Sequence, residues 1–380
     1  MSVEELGRRL LAEVEEVGLD EILKGLRVQE DDRSCYFNVP QLDALVQCKL
    51  DMKPTASNTA TSPPVIELMS RHACSGKTQL LYHLTALAVL PKTLGGRQAA
   101  VLYFDLDKHF SVTRLAQQIK RLALAQSIAP NSKLSNDKVN EIIFECLRHV
   151  HIYHSYSLAK TVNTINGIQT YLFNSSNHHS FDRSIAFIAI DSASAFYWQT
   201  RFEIEEAALL SSTSNKSYAE PPRQPVGYTH LAAALHSASR TFSAPIIYTV
   251  RDYNPPSKPS FNNSSHHQYQ LTNSAFGSSL LDEAYALRPS LPAPFNALNF
   301  ATLRLIIRRG IVRKLPIEVT VEDALREEAS RRKHTDEGRF ECFVNEWGIE
   351  EKVMDKLRVK GALFEVFVTG EGIKVGDGPE

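Results

Sequence analysis

Gly76, Lys77 and Thr78 follow a short apolar run, and their order is that of the end of a phosphate-binding loop. Such a loop reads G-x-x-x-x-G-K-[ST] between a strand and a helix. Its chemistry is simple: backbone N–H groups at the helix N-terminus point at phosphate oxygens, the lysine adds charge, and the hydroxyl holds Mg²⁺. Here Ser75 and Gly76 would lend their N–H groups, Lys77 would meet the outer phosphates, and Thr78 would hold the metal. The first position of the motif, however, is Arg71. Glycine there permits a tight turn that a side chain obstructs. Two readings stand side by side: a working nucleotide site, or a loop kept as scaffold with nucleotide weak or absent.

Three carboxylates could join this chemistry. Asp191 ends the apolar run "SIAFIAID", so a strand would deliver it to the carboxyl edge, where α/β sheets bind ligands. It fits a partner of Thr78 around Mg²⁺, although many buried strands simply end in Asp. Asp105 and Asp107 flank Leu106 in "AAVLYFDLD", and strand alternation puts both on one face. Asp107 there would align water for attack on a terminal phosphate; helix capping or exposure is the plainer alternative. The histidines, among them His151, His154, His178 and His179, have no cysteine or carboxylate at metal-ligand spacing, and are expected at the surface. The densest basic run, "RLIIRRGIVRK", carries Arg304, Arg308, Arg309, Arg313 and Lys314. It would either face DNA phosphates or guard a solvated strand edge.

The elements that must position these residues follow from periodicity. "VIELM" from Val65 reads as a buried strand, and Leu80, Leu84 and Leu87 as the face of a helix that Pro91 stops. Ser111 would cap the next helix, on which Leu115, Ile119 and Leu122 share a face. Val139–Leu147, Leu158–Leu172 and Leu231–Phe242 read as helices; "HVHIY", "PIIYTV" and "ALNFATLRLIIRR" read as strands. Strands alternating with helices predict an α/β fold, a mostly parallel sheet with helices on both faces. Val321–Lys360 is charge-rich and expected to be mostly helical, and "ALFEVFVTGEGIKV" should close as a hairpin turning at Gly370–Gly372. Val3–Leu26 has the pattern of an amphipathic helix, and Ser211–Gly227 and Asp252–Ser279 are long polar loops. The expected organisation is 1–52 as an N-terminal helical segment, 53–64 as linker, 65–310 as core, and 311–380 as a charged helical insertion with the closing hairpin.

Composition excludes several classes. With 42 Lys and Arg against 43 Asp and Glu in 380 residues, the chain lacks the basic excess of a free-standing nucleic-acid binder. DNA contact would have to come from a local patch or through a partner. The five cysteines show no C-x-x-C spacing, which argues against a zinc motif or a disulfide framework. No apolar run approaches a membrane span, and Met1–Leu10 has no signal-peptide core, so a reducing compartment is expected.

"IAIDSASAFYW", taken with "GKTQLLYHLTALAVLPK" and "VLYFDLDKHF", resembles the paralogues of the RecA/RadA recombinase family. The resemblance runs from about Val65 to Arg251 and continues weakly into "FEVFVTGEGI". It implies a RecA-like P-loop ATPase core without the N-terminal DNA-binding lobe of full recombinases. It also implies a nuclear role in homologous-recombination repair of DNA double-strand breaks. Partners would be other recombinase paralogues, especially the D-type, with DNA contacted through the complex and no membrane. Ser75, Gly76, Lys77 and Thr78 would bind ATP, Thr78 and Asp191 would serve Mg²⁺, and Arg114 would lie against the adenine. Against active members, Arg71 replaces a glycine, Asp107 a catalytic glutamate and Arg251 a glutamine. These departures imply weak or lost hydrolysis and a docking subunit. The alternatives are an active DNA-dependent ATPase of that family and, more remotely, an unrelated P-loop NTPase.

Overall fold

A computed structural model describes residues 35–52, 62–126, 135–213, 226–253, 285–310, 319–336 and 338–376. Contacts divide the chain into two units, Met1–Tyr36 and Phe37–Glu380, and the second holds every strand and helix of the described residues. The expected Val3–Leu26 helix, most of the 53–64 linker and most of both long polar loops lie outside the described residues.

The described residues of this unit open with helix α1 (Pro40–Asp51). Its first turn is fixed by the buried Asp43, whose carboxylate accepts from the N–H groups of Phe37 and Val39. Strand and helix then alternate: β1 (Val65–Ser70), α2 (Lys77–Val89), β2 (Ala100–Asp105), α3 (Val112–Gln126), α4 (Asn136–Leu147), β3 (Val150–His154), α5 (Leu158–Leu172), β4 (Ile185–Asp191), α6 (Tyr197–Thr213), α7 (Tyr228–Phe242), β5 (Ile246–Arg251) and β6 (Leu303–Arg309). After α8 (Val321–Asp336) come β7 (Arg339–Val344), α9 (Glu351–Val359), β8 (Leu363–Val368) and β9 (Ile373–Val375).

All nine described strands form one sheet in the order β3-β2-β4-β5-β1-β6-β7-β8-β9. The first six run parallel and the last three antiparallel. Every residue of β1 and β2 is buried, as expected of parallel strands covered on both faces. Alternation sorts the two sides. Leu102, Phe104, Ile188 and Ile190 point into a core shared with Leu158, Ile165 and Leu231 of α5 and α7. Tyr103 points the other way, and with Tyr82 of α2 it closes on the Phe110 ring in edge-on contacts. The α/β sheet of the sequence reading is present, with helices on both faces.

Two elements go beyond the sequence expectations. Val321–Lys360 is mostly helical, in Val321–Asp336 and Glu351–Val359, but between these helices Arg339–Val344 is strand β7, paired with β6. Its apolar Phe340, Phe343 and Val344 are buried, and the alternation was hidden between two charged helices. The segment from Tyr197 to Thr213 is helix α6, for which the sequence pattern carries no clear periodic signal. The hairpin at the end of the chain turns where expected, with Thr369 N–H donating to Gly372 O.

Candidate nucleotide site

β1 ends at Ser70 and α2 begins at Lys77, so the six residues between them form the loop that the motif requires. Gly76 has φ +94°, a left-handed conformation open to glycine, and a Cβ there would stand 3.0 Å from Phe340 and 3.3 Å from Ile307. The turn thus rests on β6 and β7, and a larger residue is refused both by backbone and by space. Cys74 also takes a positive φ, +55°. The N-cap residue of α2 is Gly76, which has no side chain to cap the helix start, and a helix N-terminus of this kind suits an anion.

Lys77 reaches back over the loop. Its Nζ donates to Ser70 Oγ and, at 3.3 Å, to Ser75 Oγ. Burial pushes its pKa down to about 8, although Asp191 and Asp107 favour the charged form. Arg71, at the position of the absent glycine, is turned toward the end of β5: its Nε lies 3.9 Å from Asp252.

Asp191 is the centre of the arrangement. Its Oδ2 accepts from Thr78 at 2.7 Å and from Tyr103 at 2.9 Å, and its Oδ1 accepts from Thr249 at 2.6 Å. The sheet order explains this. β5 lies between β1 and β4, so Thr249 on β5 bridges the gap that Thr78 spans from the loop beyond β1. Tyr103 arrives from β2, the other neighbour of β4. Sequence reasoning found Thr78 and Asp191 but missed Tyr103 and Thr249. The signal was a hydroxyl inside a mostly apolar strand, since a buried hydroxyl generally needs a partner.

Asp105 and Asp107 separate. β2 ends at Asp105, which is buried and accepts from the N–H groups of His109 and Phe110, each at 3.0 Å. His154 Nδ1 stands 3.3 Å from the same carboxylate. Asp105 therefore organises the turn into α3, and the shared face expected for the pair is not formed. Asp107 lies past the strand end and keeps contact with solvent. Loss of surrounding water and the nearby Asp191 charge raise its pKa, while a hydrogen bond to Ser192 opposes them.

Arg114 sits on the first turn of α3, where Ser111 caps the helix by accepting from Arg114 N–H at 3.3 Å. Its Nε donates to Gln79 Oε1 at 3.2 Å, which ties it to the turn that carries Thr78. Arg251, at the exposed end of β5, is anchored through its backbone, with its N–H on Ser194 Oγ at 3.1 Å.

The remaining sequence candidates fall away from this centre. His151 is buried, bonded to Tyr171 and Ser180, and its pKa is pushed down to about 4, chiefly by burial. It is a core histidine and not the surface residue expected. Arg304 is buried inside the sheet, paired with Glu67 and donating to the carbonyls of Phe295 and Ala297. Arg308 pairs with Glu341 at 2.9 Å. The basic run is thus neither a DNA face nor an edge guard at these positions, because β6 lies inside the sheet between β1 and β7. Arg309 is exposed, and Arg313 and Lys314 lie outside the described residues. Among the described residues, no group of His, Cys, Asp and Glu is arranged to hold a metal ion, and no helix is long and apolar enough to cross a membrane. A Mg²⁺ held by Thr78, Asp191 and phosphate would need no such cluster.

The loop after β1, the acid that ends β4 and the mostly parallel order of the sheet define a RecA-like P-loop core. Over 143 residues, 37% of the chain, the sequence is 33% identical to mouse (Mus musculus) DNA repair protein XRCC2, of which 45% is covered. It is also similar to the DNA repair protein XRCC2 homolog of Arabidopsis thaliana, at 26% identity over 168 residues, 37% of this chain and 43% of that protein. The chain spans less than half the length of the curated relatives it matches. No family model matches it.

Proposed function

We propose that this chain is a subunit of a recombinase paralogue complex that repairs DNA double-strand breaks by homologous recombination. The observation that carries the reading is the Thr78–Asp191 hydrogen bond, which joins the loop after β1 to the acid of β4. It is supported by the similarity to the mouse and Arabidopsis DNA repair proteins. The donor set suits ATP with Mg²⁺: a glycine N-cap at the start of α2, a lysine, and the hard oxygens of Thr78 and Asp191. When bound, Mg²⁺ would neutralise phosphate charge; Lys77 would meet the outer phosphates and Arg114 the base.

Hydrolysis is slow on this reading. Asp107 is one methylene shorter than the glutamate of active family members. A water-aligning base must reach its water at hydrogen-bond distance, and this one is short. The protein works instead as a nucleus-resident docking subunit, with the D-type recombinase paralogue as partner and DNA reached through the complex. The second reading is an active DNA-dependent ATPase; it is favoured by Thr78 hydrogen-bonded to Asp191 with Lys77 beside it at the start of α2.

Calorimetry of ATP–Mg²⁺ on the full chain, alone and with the D-type paralogue, tests both. Binding that Lys77→Ala abolishes, with turnover barely above background, is the expected result. Rapid DNA-stimulated turnover lost in Lys77→Ala would favour the ATPase, and failure to capture any recombinase paralogue would sink the docking role.

A further inference from the structure

The turn of the closing hairpin is fastened to α3 more firmly than a terminal hairpin requires. Gln118, fully buried on α3, accepts from Ile373 N–H at 2.6 Å and donates to Ile373 O at 2.8 Å. Its Nε2 also lies 2.8 Å from His83 Nδ1 on α2, and burial holds His83 neutral with a pKa of about 4, so that nitrogen can accept. Every polar atom of this buried amide is therefore used. Arg121 donates to the same Ile373 carbonyl. Gly372, at φ +152°, lies against them: a Cβ there would stand 2.8 Å from Gln118 Oε1 and 2.5 Å from Arg121 Cδ.

What the turn then holds is Arg114. Thr369 O accepts from Arg114 Nη2 at 2.6 Å, and Gly370 O lies 3.4 Å from Nη1. Gln79 Oε1 takes Nε, and Gln117 Oε1 takes Nη1 at 3.4 Å. A guanidinium held by acceptors around its edge can offer a flat face to a planar ligand. Gln79 directly follows Thr78, so a molecule with phosphates on the loop and a planar group beyond them would bring that group to Arg114.

We propose that the hairpin turn Thr369–Ile373 and its anchor Gln118 form a latch that presets Arg114 for a nucleobase. Gln118 is then a positioning residue for base recognition, acting through the turn and touching no ligand itself. The inference rests on the reading of residues 75–78 as a phosphate site.

The test compares ATP–Mg²⁺ with inorganic tripolyphosphate–Mg²⁺ on the full chain by calorimetry. The wild type should bind ATP about tenfold more tightly, as cation stacking on a base allows. Gln118→Ala should erase that preference and leave tripolyphosphate affinity unchanged. An ATP preference that survives Gln118→Ala overturns the latch. Equal binding of the two ligands by the wild type overturns it as well, while leaving the phosphate site intact. Binding of neither ligand overturns the phosphate site and the latch together. Should Gln118→Ala fail to fold, hydrogen exchange on the wild type decides. Amides of 369–373 slowed by ATP but not by tripolyphosphate support the latch, and equal effects overturn it.

Discussion

Thr249, on β5, donates its hydroxyl to Asp191, on β4, at 2.6 Å, and so stands between the acid and the strand that carries the loop. A carboxylate at the buried edge of a sheet needs donors if it is to remain where a metal or a hydroxyl can use it. This one has three, from three different elements.

Thr249→Val keeps the shape of the side chain and removes one of those donors. The loss of a hydrogen bond to a buried charged group costs roughly 1–3 kcal/mol. Urea denaturation should show a lowered midpoint with an unchanged slope. A midpoint equal to the wild type's would mean that Thr78 and Tyr103 suffice to hold Asp191.

The Lys77 pKa of about 8 lies below its ordinary 10.5, so between those values the unfolded chain holds more protons than the folded one. The cost of burying the ammonium is present in full below pH 8 and is relieved as pH rises toward 10.5. Lys77→Met should therefore be more stable than the wild type at pH 7, by a margin that narrows above pH 8. Phosphate prefers the charged form, so ATP affinity should fall as pH climbs past 8, with proton uptake on binding. Calorimetry in two buffers of different ionisation enthalpy reads that uptake directly. Its absence at pH 8 to 9 would place Lys77 away from the phosphates.

Glu67 and Arg304 form an ion pair inside the sheet, and Glu67 Oε1 has no hydrogen-bond partner. Burial raises the Glu67 pKa from 4.5 to about 7, and Arg304 opposes it. The folded state binds the extra proton, so this contribution is complete below pH 4.5 and lost as pH rises through 7. Glu67→Gln should remove that slope from the stability profile. Arg304→Met leaves a buried carboxylate unpaired and should cost about 3–5 kcal/mol. Any repair defect of an Arg304 variant should then follow a fall in folded protein, measurable by thermal denaturation, before any change in DNA contact.

Arg71 lies 3.9 Å from Asp252, whose side chain is only 7% exposed, so this is not a solvent-screened surface pair. Removing the cation takes a partner from a buried acid, and Arg71→Gly should lower stability by about 1–3 kcal/mol. A urea midpoint equal to the wild type's would mean that Asp252 does not depend on Arg71.

The strands and the loop were legible because their signals are local. Val65–Met69 is an unbroken apolar run but for Glu67, and Asp191 ends another. Tyr103 and Thr249 were hidden because their meaning depends on strand order: only when β5 lies between β1 and β4 does Thr249 face the acid. Asp105 misled for a related reason. Alternation placed it beside Asp107, but the chain leaves the strand at Asp105, and its carboxylate caps the next turn. The basic run misled by density. One of its arginines is matched by Glu67 and another by Glu341, residues distant in sequence. Each carboxylate was visible; the register that brings it to its arginine was not.

The place of β1 in the sheet bears on synthesis of the chain. Its two neighbours are β5 and β6, so a strand complete at Ser70 has no sheet partner until Ile246 has been made. That is a gap of about 180 residues, or on the order of 10–40 s at ribosomal rates of ~5–20 residues/s. Throughout it an apolar, β-prone segment is available to chaperones or to other nascent chains. A chain cut short before β5 would keep the whole loop motif and lack both strands that hold β1 in place. Yield of soluble protein should then depend on translation speed and chaperone supply more steeply than the equilibrium stability of the finished fold suggests.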